Sequence, residues 1–458
     1  QGKYDDAKPL YLRATEIWEK VHGREHPLVA KGLNNRAELL RMQVRYEEAA
    51  PLYERVLIVY EKALGKQHPF VATALNNWAL LLEAQGKYDD AGPLYLRATG
   101  IWEKVHGREH PLVATVLNNR AGLSKAQCKY DEAGPLYARA IAIGEKVLGR
   151  EHPDLAVWLN NRAVLLSGRY AEADPLYQRA LAINEKALGP DHPSVATDLN
   201  HRAGLLSAQG KYAEAEPLFE RSQAIREKVL GPEHPDVAHS LNSRAELLSA
   251  QGKYDDAGPL YLRATEIWEK VHGREHPLVA TALNNRAGLL QAQGKYDEAG
   301  PWYARAIAVG EKVLGPEHPD LAVWLNNRAG LLSLGRYAEA DPLYLRAIEI
   351  GETTLGLDHP VLATRLNNRA GLLKAQSKYD GAGPLYAGAI AIGEQVLGPE
   401  HPDLAVWLNN WAGLLRCGES YVEAALLYER VLIVYEKALG KQHPFVATAL
   451  NNRALLLE

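Results

Sequence analysis

The sequence predicts an all-α solenoid of antiparallel helix pairs, and three observations predict it. The dipeptide His-Pro recurs eleven times, its histidines being His26, His68, His110, His152, His192, His234, His276, His318, His359, His401 and His443. Every spacing is 42 residues except two, where residues have dropped out of one loop. Each period holds two runs with helical spacing of apolar residues, divided by glycine-containing turns. Such a chain stacks like units that touch only their neighbours. Residues 1–458 therefore read as a single continuous solenoid of about eleven repeats, in place of the roughly two to four globular domains that length alone suggests. The chain opens on a second helix, closes on a first one and begins at Gln1, so it reads as part of a longer protein.

One unit, Leu278 to Pro319, justifies the elements in turn. Proline after His276 suits a first helical turn, where its missing N–H would have no intrahelical partner. Helix A is expected from Pro277 to Ala292, with Ala280, Leu283, Ala287 and Leu290 on one buried stripe. Gln293-Gly294-Lys295 breaks it. Helix B is expected from about Tyr296 to Leu314, where Tyr296, Ala299, Tyr303, Ala306, Gly310 and Val313 form a seam of alternating large and small residues. Leu314-Gly315-Pro316 ends it, since glycine accepts the left-handed cap conformation and proline stops propagation. A proline inside nearly every B helix, from Pro9 to Pro384, lies near enough to the helix start that a slight bend at most is expected.

Composition narrows the function classes. Hydrophobic residues make up 47% and charged residues 24%, as in folded soluble proteins. A net charge of −4 exerts no long-range pull on polyanions, which disfavours nucleic acid as a partner. The two cysteines, Cys128 and Cys417, sit in distant units, so no disulfide framework and a reducing, cytoplasmic setting are expected. No run approaches the roughly 20 apolar residues of a membrane span.

The recurring patterns Leu-Asn-Asn-x-Ala, Gln-Gly-Lys-Tyr-x-x-Ala, Leu-Tyr-x-Arg-Ala and Leu-Gly-x-x-His-Pro resemble the 42-residue tetratricopeptide repeat (TPR) of kinesin light chains. The same repeat type occurs in arrays attached to signalling NTPases of the STAND class. The likeness spans the whole chain. It implies a right-handed superhelix whose concave groove is lined by A helices, and a protein-protein interaction scaffold whose partner and attached domains it leaves open. The family carries leucine between the second asparagine and the alanine, whereas this chain has arginine in nine units, such as Arg36, Arg120 and Arg286, and tryptophan at Trp78 and Trp411. Each arginine is expected to lay its stem on a neighbouring helix and pair with a carboxylate there.

Beside the core stripe, helix A carries a second one, Thr281, Asn284, Gly288 and Gln291 in this unit. Its asparagine is present in every unit: Asn34, Asn76, Asn118, Asn160, Asn200, Asn242, Asn284, Asn326, Asn367, Asn409 and Asn451. Carboxamides at a repeat rise of about 10 Å could grip an extended peptide backbone; the competing expectation is that they bond to neighbouring A helices and brace the stack. One turn on, the stripe is mostly glycine, as at Gly122, Gly204, Gly288, Gly330, Gly371 and Gly413. Helical glycine costs about 1 kcal/mol relative to alanine, so either a neighbouring helix or a bound chain is expected to approach closely. The next position varies in chemistry, and Arg41, Glu83, Lys125, Ser207, Ser249, Gln291, Lys374 and Arg416 are the candidate specificity residues, with Ser167, Ser333 and Glu458 completing the row. An ordinary solvated surface is the alternative. Trp158, Trp324 and Trp407 precede the asparagine pairs and are expected to pack, two of them filling gaps left by the shortened loops.

Catalytic chemistry finds no foothold. The His-Pro histidines, about 10 Å apart from copy to copy, are too distant to share a zinc ion and read as helix-starting residues. Gly86-Lys87 and Gly440-Lys441 lack the flanking residues of a phosphate loop, and Cys128 has no adjoining histidine motif. With no acid, base and nucleophile in one place, neither enzyme activity, cofactor nor metal is expected. The leading expectation is a non-enzymatic scaffold that binds a peptide segment or partner protein in the groove. A structural spacer or end-to-end self-associating array is second. RNA binding by one base per unit is third, set against it being the mixed charges of Glu83 and Lys125. Residues 53–83 and 428–458 differ only at Trp78 against Arg453, as recent duplication or consensus design would leave them.

Overall fold

The computed structural model describes residues 4–127, 129–166 and 169–456, the side chains of residues 4–6 excepted; Cys128, Ser167 and Glu458 lie outside. Among the described residues are 22 helices and no strand, from α1 (Tyr4–His22) to α22 (Pro444–Ala454), alternating B and A. They gather in two compact units, one of Gln1–Leu165, Pro175–Asp198 and Ile225–Pro232, the other of Leu166–Asp174, Leu199–Ala224 and Glu233–Glu458. Within each unit consecutive helices pack in pairs. Successive A helices also touch, as from α14 (Pro277–Ala292) to α16 (Pro319–Leu332), α18 (Pro360–Ala375) and α20 (Pro402–Cys417).

Every A helix starts the same way. Proline occupies the first turn, and Nδ1 of the preceding histidine accepts the backbone N–H two residues on, at 3.1–3.2 Å in all eleven copies. Imidazole thus takes the place usually held by a serine or aspartate cap, and it can do so only while Nδ1 is unprotonated. Turn glycines such as Gly294 (φ +76°) take the left-handed region, yet Val44, Ser377 and Glu419 occupy the same turn position at φ of 60°, 59° and 61°. Such backbone costs an L-residue about 1 kcal/mol or more.

The core follows from the position of helix A between two B helices. Ala280, Leu283 and Ala287 are fully buried, as the stripe requires, but Leu290 is only half-buried and Leu289 takes the interior instead. Leu289 packs back on Tyr261 of α13 (Tyr254–His272), whereas Leu290 packs forward on Tyr303 of α15 (Tyr296–Val313). Two partners demand a wider apolar arc than one stripe provides. Along α15, Ala299, Tyr303, Ala306 and Gly310 are buried, while Tyr296 at the seam's end is exposed.

Where a B helix meets the next A helix, large and small residues change sides. A Cβ on Gly32 would press on Trp18, so tryptophan comes from the B helix there. A Cβ on Gly144, Gly310 or Gly393 would fall 2.2–2.4 Å from a ring carbon of Trp158, Trp324 or Trp407, so tryptophan comes from the A helix. The three tryptophans pack, being 2–4% exposed. The space they fill is left by a B-helix glycine, which corrects the expectation that shortened loops open it. At Gly351 the large partner is Arg365, 2% exposed: Nη1 donates to the Ala347 carbonyl at 3.0 Å, and Nε and Nη2 have no partner. Burial pushes its pKa down to about 10. At a further seat Asp198 accepts amide bonds from Asn160 and Asn184 at 2.6 and 2.7 Å, and burial raises its carboxyl.

Candidate functional site

The second stripe of the A helices lines a groove. In the second unit a cavity of about 510 Å³ is bordered by Gln291, Asn326, Asn327, Gly330, Asn367, Asn368, Gly371, Lys374 and Asn410, with Tyr303, Tyr344 and Tyr386 reaching in from B helices. An adjoining cavity of about 360 Å³, bordered by Glu246, Ser249, Asn284, Asn285 and Gly288, shares Tyr303 and Asn327 with it. Of the candidate residues, Gln291, Asn326, Asn367 and Lys374 border the first cavity, and Ser249 and Asn284 the second. The second asparagines and the tyrosines were not anticipated. For the tyrosines the signal was a polar hydroxyl recurring on an otherwise apolar seam.

The asparagines bond to one another. Nδ2 of each second asparagine donates to Oδ1 of the first asparagine one repeat earlier: Asn77 to Asn34, Asn119 to Asn76, Asn161 to Asn118, Asn285 to Asn242, Asn327 to Asn284, Asn368 to Asn326, Asn410 to Asn367 and Asn452 to Asn409, all at 3.0–3.2 Å. The first asparagine donates to its own neighbour, as Asn76 to Asn77 and Asn284 to Asn285, both at 3.2 Å. Bracing is therefore one role of this row. The pattern changes where the second asparagine is replaced by His201 and Ser243: Asn160 turns to Asp198, and Asn200 donates to the Ser243 hydroxyl at 3.3 Å. Asn242 donates to Glu246 at 2.8 Å; burial pushes that carboxyl up, and the amide opposes it.

At most groove glycines no neighbouring helix comes close. A Cβ on Gly288, Gly330 or Gly371 would meet only a tyrosine hydroxyl, at 3.6–3.7 Å, and one on Gly204 would meet nothing within 4 Å. These are ordinary or open distances, so close helix approach, one of the two expected reasons for glycine, does not hold there. Gly413 differs, since its Cβ would sit 2.8 Å from Nζ of Lys374.

Most of the variable row is internally satisfied. Arg41 Nε donates to Glu38 at 3.0 Å, and so does the Tyr53 hydroxyl at 2.8 Å. Burial alone would raise the Glu38 carboxyl, but the bonds from Arg41 and Tyr53 outweigh it and hold it below its usual range. The Tyr95 hydroxyl donates to Glu83 at 3.0 Å, and burial raises that carboxyl despite Lys125 and Arg41 facing it. Gln291 accepts from Tyr303 at 3.1 Å, Ser333 donates to the Ala329 carbonyl at 2.8 Å, and Arg416 donates to the Leu455 carbonyl at 3.4 Å. The arginines two residues after the first asparagine behave as expected where Arg202, Arg244 and Arg369 reach Asp174, Glu220 and Asp341 at 2.6–2.9 Å. Arg286 instead lies over the Trp302 ring at 4.2 Å. Among the described residues no cluster of three or more histidine, cysteine or carboxylate side chains could hold a metal, and no helix is long and apolar enough to cross a membrane.

The tetratricopeptide repeat model matches residues 1–62, 28–78, 70–127, 113–167, 164–228, 196–257, 236–299, 278–353 and 361–436. This chain belongs to the tetratricopeptide repeat family. Such TPR arrays are typical scaffolds of protein-protein interaction. Among solved structures, the array is similar to the nearly identical TPR-like repeats of a Podospora anserina protein of kinesin-light-chain type, at 27% identity over 44% of this chain and 97% of that one, with a TM-score of 0.38. It is also similar to BtubC (BKLC) from P. vanneervenii, at 22% identity over 51% of this chain and 92% of that one, with a TM-score of 0.41. A Rap protein complexed with competence and sporulation factor shares the fold alone, at 14% identity over 80% of this TPR chain and 98% of that one, with a TM-score of 0.55. No curated protein matches the chain.

Proposed function

We propose that this chain is a non-enzymatic, cytoplasmic interaction array that holds a peptide segment, or an extended segment of a partner protein, along the groove face of its A helices. The groove glycines carry the reading. Stacking leaves room for a methyl group at Gly288, Gly330 and Gly371, so the helix stability of about 1 kcal/mol forgone at each is accounted for by an occupant whose backbone comes close. The first asparagine of a repeat would contact that occupant with the amide proton that its bond to a neighbouring side chain does not use, a carboxamide having two N–H donors. Arg41, Glu83, Lys125, Ser207, Ser249, Gln291, Lys374 and Arg416 would then choose among side chains.

Replacing Gly288, Gly330 and Gly371 together by alanine separates fold from function. Stability to urea should rise, by up to about 1 kcal/mol per site, while capture of peptides from an immobilised random library falls. A variant that is stabilised and captures peptides as well as the native chain would remove the groove from the mechanism.

A further inference from the structure

We infer that α19 (Tyr379–Val396) is a built-in yielding point, a helix that opens locally while the A helices on either side of it stay joined. In the second unit α13, α15, α17 (Tyr337–Leu355), α19 and α21 (Tyr421–Leu439) are successive B helices. Ion pairs tie most of them together. Arg305 pairs with Glu269 and Lys312 with Glu275 across the step from α13 to α15, and Arg430 pairs with Glu394 and Lys437 with Glu400 across the step from α19 to α21. At the step from α17 to α19 both cations are gone, because Gly388 and Gln395 stand at their positions. The carboxylates left behind, Glu352 and Asp358, are exposed, and among the described residues neither joins an ion pair.

The helix itself is weak. It contains Gly381, Gly383, Gly388 and Gly393, whereas α15 has glycine only at Gly300 and Gly310. Packing requires glycine only at Gly393, which faces Trp407. A Cβ on Gly388 would meet nothing nearer than Leu366 at 3.8 Å, one on Gly383 nothing within 4 Å, and one on Gly381 the end of the Leu373 side chain at 3.3 Å. Ser377, held at φ 59° just ahead of the helix, adds backbone strain at its entry. Each glycine in place of a better helix former makes opening about fivefold easier, and each missing exposed ion pair about twofold. The A helices behind α19 are tied as elsewhere: Asn368 donates to Asn326 and Asn410 to Asn367, both at 3.1 Å, linking α16, α18 and α20. A helix that yields between linked neighbours lets the wall from Asn367 to Asn410 change its span without unfolding the array, whatever the groove holds.

Hydrogen exchange of the native chain, followed by mass spectrometry and corrected for intrinsic rates, compares the two B helices directly. Amides of α19 should exchange on the order of 100-fold faster than those of α15, while α18 and α20 keep the protection of α14 and α16. Gly388→Arg together with Gln395→Lys restores both cations and removes a glycine, so it should slow α19 on the order of tenfold and leave α15 unchanged. The converse pair, Arg305→Gly with Lys312→Gln, should speed α15 by a similar factor. Equal protection of α15 and α19 in the native chain would overturn the yielding point. So would α18 and α20 exchanging together with α19, the mark of a general loosening, or a restored variant whose α19 exchanges as fast as the native helix.

Discussion

The repeat of α13 and α14 and the repeat of α17 (Tyr337–Leu355) and α18 follow one pattern and settle differently. In the first, Trp268 shares an apolar core with Ala282, the turn after α14 has Gly294 at φ +76°, and Gln291 is held by Tyr303. In the second, Arg365 is buried against Gly351, the turn has Ser377 at φ 59°, and Lys374 is unpaired among the described residues. Histidine caps and asparagine bonds are the same in both. Repetition thus preserves what joins one repeat to the next, while seat, turn and groove residues change under looser constraints: the seat asks only that one side be small, the turn that the backbone reach positive φ.

Removing the bulk from the well-formed seat should have the largest effect. Trp268→Ala leaves Ala282 facing a cavity and should cost about 3–5 kcal/mol, read from the urea midpoint. A loss below about 1 kcal/mol would show that neighbouring helices collapse into the gap and that the two seats differ less than their geometry implies. Arg365→Trp transfers the Trp324 arrangement to Gly351 and removes a charge with two unsatisfied nitrogens; a gain of about 1–4 kcal/mol is expected, and a loss would mean that seats are not interchangeable. The third prediction concerns acid. His276 caps α14 and stacks on His272 at 4.3 Å, whereas Leu355 stands at the equivalent position before His359. Burial, helped by His272, pushes His276 from 6.5 to about 4. The unfolded chain therefore takes up the proton first, so stability is retained above pH 6.5 and lost as pH falls toward 4. His276→Asn keeps a capping oxygen and should spare up to about 2 kcal/mol of that loss at about pH 5, measured against the native chain by thermal melting. The smallest effect is at the turn, where Ser377→Gly should stabilise by about 1 kcal/mol while Gly294→Ser costs a similar amount; equal midpoints for both variants would erase the distinction between the turns.

Helix boundaries were readable in the residues because chemistry repeats there: His276-Pro277 starts α14, and the turn at Gly294 ends it where expected. The groove was legible in part, since Asn284, Gly288 and Gln291 share a face by spacing alone. Three things were hidden. Leu289 outranks Leu290 because helix A has partners on both sides, which one helix's periodicity cannot show. The bonds from Asn285 and Asn327 cross between repeats, so only the stack reveals them. Trp324 answers Gly310 on another helix, a compensation that appears in the sequence as two unrelated oddities 14 residues apart.

That last pairing bears on how such a chain grows. Trp324 and Gly310 stand on opposite sides of a His-Pro junction, so a copying event that cut at the junction would part a lock from its key. Residues 53–83 and 428–458, alike but for one position, each carry both halves, Tyr60 with Ala74 and Tyr435 with Ala449. Both segments fit a module made of a second helix together with the first helix after it, and an array lengthened in that frame would arrive already fitted.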